Sequence, residues 1–339
     1  MEIINNSTDT LCREGVQIPV TPAIDILLAT YNGGKYLRQQ LDSIIGQTNS
    51  TWRLIIRDDG STDNTLDIIE EYWTLHPDHI ILMHGNGENI GVVRNFSLLL
   101  DLATADYVMF CDQDDIWLPE KITSTLEKML ETEKQYGNAM PLLIFTDLII
   151  VDEDGSGVRA DSFWEYQQLE PDSVTRLNRL LLQNIPTGCT IMINRALREK
   201  GRPIPAEAAM HDWWLTLVAA VFGSNVYLPQ ATVRYRQHGM NVCGVERWSL
   251  LKDVLQFLSP TFRRKLTIIR EQKLSSYRKQ ASAFVRRFCT ELPHETGRMI
   301  TVFATLDSFS IIMQKYYILK YRFFYSNGFV TAAMVLFRW

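Results

Sequence analysis

Residues 106–121 read DYVMFCDQDDIWLPEK. The apolar run Tyr107–Cys111 has no strongly polar position on either face, which predicts a short strand buried on both sides. It breaks into Asp112, Asp114 and Asp115, three acids within four positions, whose mutual repulsion a folded chain has to offset. A divalent cation does so, because Mg2+ and Mn2+ take oxygen ligands and bind through one or two carboxylates together with substrate phosphates. Helix capping is the competing reading, since Asp caps helices and Pro119 suits a first turn. Capping accounts for one or two of the acids and leaves the third unexplained.

Upstream the same pattern repeats. Ile24–Ala29 is an apolar run followed by the turn Thr30-Tyr31-Asn32-Gly33-Gly34, after which Tyr36, Leu37, Gln40, Leu41, Ile44 and Ile45 keep helical spacing. Trp52–Ile56 leads into Asp58-Asp59-Gly60-Ser61-Thr62-Asp63 and a second helical stretch. Ile80–Met83 leads through Gly85–Gly91 into a third. This alternation of apolar strands and helices predicts an α/β fold, a mostly parallel sheet flanked by helices. Ligands of such sheets bind beyond the carboxyl ends of the strands. The polar clusters at 30–34, 58–63 and 112–115 all fall there. The first turn, TYNGGK, lacks the G-x-G-x-x-G spacing of a dinucleotide fold, and no P-loop occurs. Phosphates bound here are therefore expected to be neutralised by a metal on the acids rather than cradled by a glycine loop.

The 339 residues suffice for one large domain or two ordinary ones, and 46% hydrophobic content is that of a core-forming protein. No apolar stretch reaches membrane-spanning length, and residues 1–22 form a polar lead-in without the apolar core of a signal peptide. Five scattered cysteines without a C-x-x-C pair point to reduced thiols and a cytoplasmic protein. The net charge of −5 conceals an asymmetry: residues 247–339 carry 16 Lys/Arg against 5 Asp/Glu, a balance of +11, and the rest of the chain is at −16. An acidic body with a basic, aromatic-rich tail is the organisation this predicts.

Seven stretches together resemble the family 2 glycosyltransferases of the GT-A, Rossmann-like fold. They are ATYN at 29–32, DDGSTDNT at 58–65, NIGVVRN at 89–95, DQDDIWLPEK at 112–121, NIPTGCT at 184–190, HDWW at 211–214 and RQHGMN at 236–241. The resemblance implies a catalytic domain over 23–245 and a helical C-terminal region over 246–339. It implies that Tyr31 stacks on a nucleobase and that Asp59 accepts from its ring N–H. Asp112 and Asp114 match the family's D-x-D, the first reaching the ribose and the second a Mn2+ or Mg2+ that bridges the diphosphate; Asp115 supports them. Arg94 falls where the family places a cation near the nucleotide, although a surface ion pair explains it equally well. Arg234 and Arg236 become candidates for diphosphate contacts. His238 becomes a third metal ligand, against the plainer reading of a structural hydrogen-bonding residue. Asp212 matches the catalytic base of inverting members; it also suits a helix N-cap, and the two roles are compatible. The family often has Glu-Asp where this chain has His211-Asp212, so the resemblance assigns His211 no role.

The resemblance is strongest to bacterial rhamnosyltransferases of polysaccharide and O-antigen synthesis. It implies an inverting transferase that moves rhamnose from dTDP-rhamnose to a lipid-linked or polysaccharide acceptor; a UDP-hexose such as UDP-galactose is the alternative donor. The Q-x-x-R-W motif of the processive synthases is absent. A non-catalytic nucleotide-sugar or glycan binder has no need of an acid at 212, and a nucleotidyltransferase would want a fuller basic glycine loop than TYNGGK. In the tail, bases interleave with Tyr316, Tyr317, Tyr321, Phe323, Phe324, Tyr325, Phe337 and Trp339. That pattern predicts a peripheral association with the inner face of the cytoplasmic membrane. Packing on the acidic body and a homodimer interface are the alternatives. Nucleic acid is not expected, because no recognised module accompanies the bases.

Overall fold

A computed structural model describes residues 24–85, 87–239 and 260–324, with side chains from 271 in the last segment. In chain order the elements are β1 (Ile24–Thr30), α1 (Leu37–Ile45), β2 (Trp52–Asp58), α2 (Thr65–Leu75), β3 (Ile80–Met83), α3 (Val92–Leu102), β4 (Tyr107–Cys111) and β5 (Ile116–Trp117). There follow α4 (Lys121–Tyr136), β6 (Leu142–Val151), β7 (Val158–Ala160), α5 (Phe163–Gln167), α6 (Leu177–Leu180), β8 (Ile191–Asn194), α7 (Arg195–Gly201), α8 (His211–Phe222) and β9 (Ser224–Arg236). Three helices close the described chain: α9 (Pro260–Phe288), α10 (His294–Ala304) and α11 (Ile311–Tyr321).

The nine strands form one sheet in the order β3-β2-β1-β4-β8-β6-β9-β5, with β7 beside β6. Pairing is parallel through β3, β2, β1 and β4, antiparallel on both sides of β8, and parallel again between β6 and β9. Six strands thus share one direction, and β8 is the antiparallel insert among them. This is the expected GT-A-like α/β architecture.

Alternate residues of each central strand feed two cores. Leu27, Ile55, Val108 and Phe110 face one, packed with α3, α8, α9 and α10. Ile26, Leu28, Leu54, Ile56, Met109 and Cys111 face the other, packed with α1, α2 and α4. Each fully buried large apolar side chain contributes about 1.5–3 kcal/mol, so a two-sided apolar strand is the natural centre of the fold.

The described part of the tail is not a detached module. Leu274, Phe284, Phe288, Ile300 and Phe303 belong to the first core, with the rings of Phe284 and Phe288 5.4 and 6.1 Å from Trp214. Bases of these helices meet acids on the body and on the tail itself: Arg286 pairs with Glu207 at 2.6 Å and Arg278 with Asp307 at 3.3 Å. Packing on the body is therefore the arrangement of α9 and α10. Residues 247–259, Asn241 and the closing residues with Tyr325, Phe337 and Trp339 lie outside the described residues.

Candidate active site

The parallel strands β1, β2 and β4 end at one level: Thr30 pairs in register with Asp58, and Leu28 with Cys111, immediately before Asp112. The three polar clusters meet there. Thr30 Oγ1 and Ser61 Oγ donate to Asp58 Oδ1 at 2.8 and 2.6 Å, and the Asp59 N–H donates to the Thr30 carbonyl at 2.8 Å. The Tyr31 N–H donates to Gln113 Oε1 at 2.8 Å, and Gln113 Nε2 returns a bond to the Tyr31 carbonyl at 2.9 Å. Gly33 is obligatory for that clasp, since a Cβ would lie 2.3 Å from Gln113 Oε1. With its backbone fixed on both sides, Tyr31 leaves its ring half exposed, as stacking on a base requires.

Asp59 is buried. Its Oδ1 accepts from Arg57 Nη1 at 2.9 Å and the Ile90 N–H at 3.0 Å, and its Oδ2 accepts from the Gly91 N–H at 2.9 Å. One acceptor position remains on Oδ2, enough for a single ring N–H. The carboxylate thereby ties the turn after β2 to the loop that leads into α3, where Arg94 stands exposed and makes no ion pair among the described residues. Both members of the Arg57–Asp59 pair are buried, so removing the cation strands a carboxylate in low dielectric. Arg57→Met is expected to cost about 3–5 kcal/mol, read as a lowered urea midpoint with unchanged slope.

The acids after β4 separate into different states. Burial first, and then the negative charges of Asp114 and Asp212, push the Asp112 carboxyl up to about 7. Asp115 is fully buried; burial first, then the charges of Asp114 and Asp112, hold it well above the carboxylate range. Its Oδ1 accepts the Arg236 N–H at 3.3 Å. Asp114 Oδ2 lies 2.8 Å from His238 Nε2, and the His238 ring stacks on Tyr36 with centroids 4.6 Å apart.

A divalent cation fits this set. Asp112, Asp115 and Cys189 present ligand atoms within 4.8 Å of one another. Burial and the neighbouring acids hold the Cys189 thiol well above its ordinary range, so it stays protonated and is a poor ligand. Asp112 gives that cluster an oxygen donor of the kind a hard cation takes, and Asp114, bonded to His238, adds its negative charge beside it.

Arg236 departs from its expected role. It is buried, and its guanidinium donates to the Asp114 carbonyl at 2.8 Å, the Glu153 carbonyl at 2.7 Å and Gln39 Oε1 at 2.6 Å, with Tyr36 stacked 4.9 Å away. Donors spent in this way are not directed at a diphosphate; Arg236 clamps the backbone of the acidic turn. Arg234 lies half-buried in β9, in register with Ile116.

Asp212 sits in the first turn of α8, where Trp213 Nε1 donates to the Leu180 carbonyl at 2.6 Å and Trp214 Nε1 to that of Gly201 at 2.8 Å. Those two indole bonds fix the helix start. Burial pushes the Asp212 carboxyl up to about 7, against the lowering effect of N–H donation from Trp213 and Gly188. A carboxylate poised near neutrality is suited to general-base work. Its neighbour His211 is held between Phe96 and Phe110 with ring centroids 3.9 and 5.1 Å away, and burial drives it down to about 3. His211 is therefore a neutral packing residue at the start of α8. Gly188 makes the approach possible: a Cβ there would stand 2.9 Å from His211 Nε2 and 3.6 Å from Asp212 Oδ2.

Gln113, Arg57, Tyr36 and Gly188 did not stand out in the sequence as single residues. Gln113 and Gly188 do lie inside motifs that did, whereas the roles of Arg57 and Tyr36 depend on contacts across the fold.

A sequence profile described as glycosyl transferase family 2 matches residues 25–140, which run from β1 through α4 and include the acidic turn. Residues 25–140 therefore carry a glycosyl transferase family 2 domain. It is 29% identical over 230 residues to the dTDP-rhamnosyl transferase RfbG of Shigella flexneri, covering 64% of this chain and 73% of that protein. It is 31% identical over 176 residues to the putative teichuronic acid biosynthesis glycosyltransferase TuaG of Bacillus subtilis, covering 51% of this glycosyltransferase and 63% of that one. Among solved structures, residues 1–349 of S. aureus TarS in complex with UDP superpose with a TM-score of 0.51 at 18% identity, over 85% of this chain and 73% of that one. At that identity the likeness speaks for the fold alone. Within it, the glycosyltransferase brings Tyr31, Asp59, Asp112 and Asp114 to the ends of the parallel strands, with His238 on Asp114 and Asp212 close enough to raise Asp112.

Proposed function

We propose that the enzyme transfers a sugar, with inversion, from a nucleoside diphosphate sugar to a lipid-linked or polysaccharide hydroxyl in bacterial surface glycan synthesis, and that it does so at a membrane surface. The observation that carries this is the proximity of two distinct acids: Asp212, buried and near neutral pH in its titration, beside Asp112 of the D-x-D turn. One is built to take a proton and the other to face a diphosphate.

Asp212 accepts the proton of the acceptor O–H as that oxygen forms its bond to the anomeric carbon. The anomeric C–O bond on the opposite face breaks, and its electron pair leaves on the nucleoside diphosphate. A divalent cation held by Asp112, Asp114 and His238 would supply positive charge to that leaving group. Tyr31 and the spare acceptor of Asp59 hold the base, and Arg94 is free to meet nucleotide charge. The clamp of Arg236 on the Asp114 backbone keeps the acidic turn in place while charge moves.

Thymidine is the proposed base and rhamnose the proposed sugar, by likeness to RfbG, which is named for that donor; UDP-hexose is the second choice. A thermal-shift panel of nucleoside diphosphates and their sugars with Mn2+ tests the reading. The correct donor at a hundred times its Kd should add about 2.7 kcal/mol of stability. Failure of every nucleotide to stabilise the protein would overturn the proposal.

A further inference from the structure

The described surface carries scattered single apolar residues, as most proteins do, and their densest concentration lies on one helix. Ile311, Ile312, Met313, Tyr316 and Leu319 are all exposed on the eleven-residue helix α11. At 100° per residue, Ile312, Tyr316 and Leu319 fall on one line along the helix, exposed at 80%, 50% and 55%. Lys315 projects on one side of this ridge and Lys320 on the other. The opposite side of the helix faces inward: Ile318 is buried in the first core, Tyr317 packs on Phe309 before the helix with rings 4.9 Å apart, and Tyr321 packs on Phe323 after it at 5.7 Å. Ser310 caps the helix start, and Asn178 donates to the Arg322 carbonyl just beyond its end at 2.7 Å. The ridge is thus presented by an anchored helix.

We propose that α11 is the surface through which this enzyme docks on an anionic lipid bilayer. The ridge of Ile312, Tyr316 and Leu319 enters the headgroup boundary, while Lys315 and Lys320 meet lipid phosphates on either side. An apolar stripe bordered by lysines is the pattern of a helix lying in the plane of an interface. Its length of about 16 Å allows it to lie on a bilayer but not to cross one. Charge decides between occupants. The region from 247 onward carries +11, so an anionic surface attracts it, whereas a second copy of the same ridge would oppose lysine to lysine across a two-fold axis. The acidic helix α2, with Leu66, Trp73 and Leu75 exposed beside Asp67, Glu70 and Glu71, offers a complementary patch on another copy. That contact would be heterologous and leave an open chain of subunits rather than a closed oligomer. The inference rests on the proposed lipid-linked acceptor for its purpose, but its test does not.

The experiment is co-sedimentation of the full chain with vesicles of phosphatidylglycerol and phosphatidylcholine, alongside vesicles of phosphatidylcholine alone. Binding is expected to the anionic vesicles only. Ile312→Glu with Leu319→Glu should weaken it at least tenfold, with unchanged helix content and unchanged donor turnover on a water-soluble acceptor. Lys315→Gln with Lys320→Gln leaves the ridge intact and should weaken binding severalfold at low salt and less at high salt. Equal binding to both vesicle types, or a ridge variant that binds as wild type does, overturns the proposal. So does a wild-type chain that self-associates in the absence of vesicles and loses this in the ridge variant, which would assign α11 to contacts between copies. Loss of donor turnover throughout would count against the proposed reaction and leave the vesicle result readable.

Discussion

Asp212→Asn is expected to lower the rate of sugar transfer by about three orders of magnitude, within the usual range for loss of a general base, and to leave donor binding within twofold of wild type. The asparagine carbonyl still accepts from the Trp213 N–H, which reaches Asp212 Oδ1 at 2.6 Å, so the start of α8 has no reason to move. What disappears is the basic oxygen. In the wild type, burial holds the carboxyl up to about 7. The free enzyme is therefore expected to gain kcat/KM as pH rises toward 7 and to level off above it; the variant should lack that limb. Stability supplies an independent sign. Because the folded pKa lies above that of the unfolded chain, the folded state holds a proton that the unfolded state has already released between about pH 4 and 7. The stability that this proton contributes is present at low pH and drains away as pH rises through that window. Asp212→Asn should consequently be more stable than wild type at pH 8 in urea titrations, and the two should converge near pH 4. Removing the charge also relieves Asp112, whose carboxyl it helps to raise. A variant that loses donor binding instead would place Asp212 against the nucleotide sugar.

The centre of the fold was legible because its strands are apolar on both faces and end in polar turns. Ile24–Ala29, Trp52–Ile56, Ile80–Met83 and Tyr107–Cys111 became β1 to β4 to within two residues at their ends, and their turns converge as open-sheet geometry requires. The second half was harder to read. Leu142–Val151 and Ile191–Asn194 are apolar too, but nothing local says that β8 runs antiparallel between β4 and β6, since that is a matter of chain path. Side-chain roles divided the same way. The acids at 112, 114 and 212 announce themselves by charge in an apolar setting. Arg236 lies two residues before His238 in a motif that points to phosphate, yet its guanidinium folds back onto the carbonyls of Asp114 and Glu153. A buried arginine serving backbone and an exposed one serving ligand have the same sequence. His211 shows the converse: a polar residue beside the base that the structure places between two phenylalanines.

Asp114→Ala is expected to abolish the metal dependence of donor binding while leaving the nucleotide's weaker, metal-free binding in place. Titration calorimetry with and without Mn2+ separates the two. In the wild type, Mn2+ should raise donor affinity strongly, because the acids that would repel a diphosphate become ligands to a cation that attracts it. In the variant, one carboxylate and the partner of His238, 2.8 Å away, are both gone. Alterations even one layer outside a metal's ligands commonly cost 10–100-fold in metal affinity, so loss of a ligand should cost at least that. Without metal, the variant should bind the diphosphate at least as well as wild type, since a negative charge has left the site. His238→Asn should show the same pattern in milder form, with Asp112 and Asp114 both intact. The contrast with Asp212→Asn is the decisive feature: one variant keeps donor binding and loses chemistry, and the other loses metal-assisted binding first. If Asp114→Ala retains the full Mn2+ effect, the cation sits deeper, among Asp112, Asp115 and Cys189. Cys189→Ser would then alter metal preference, an outcome that the protonated thiol argues against.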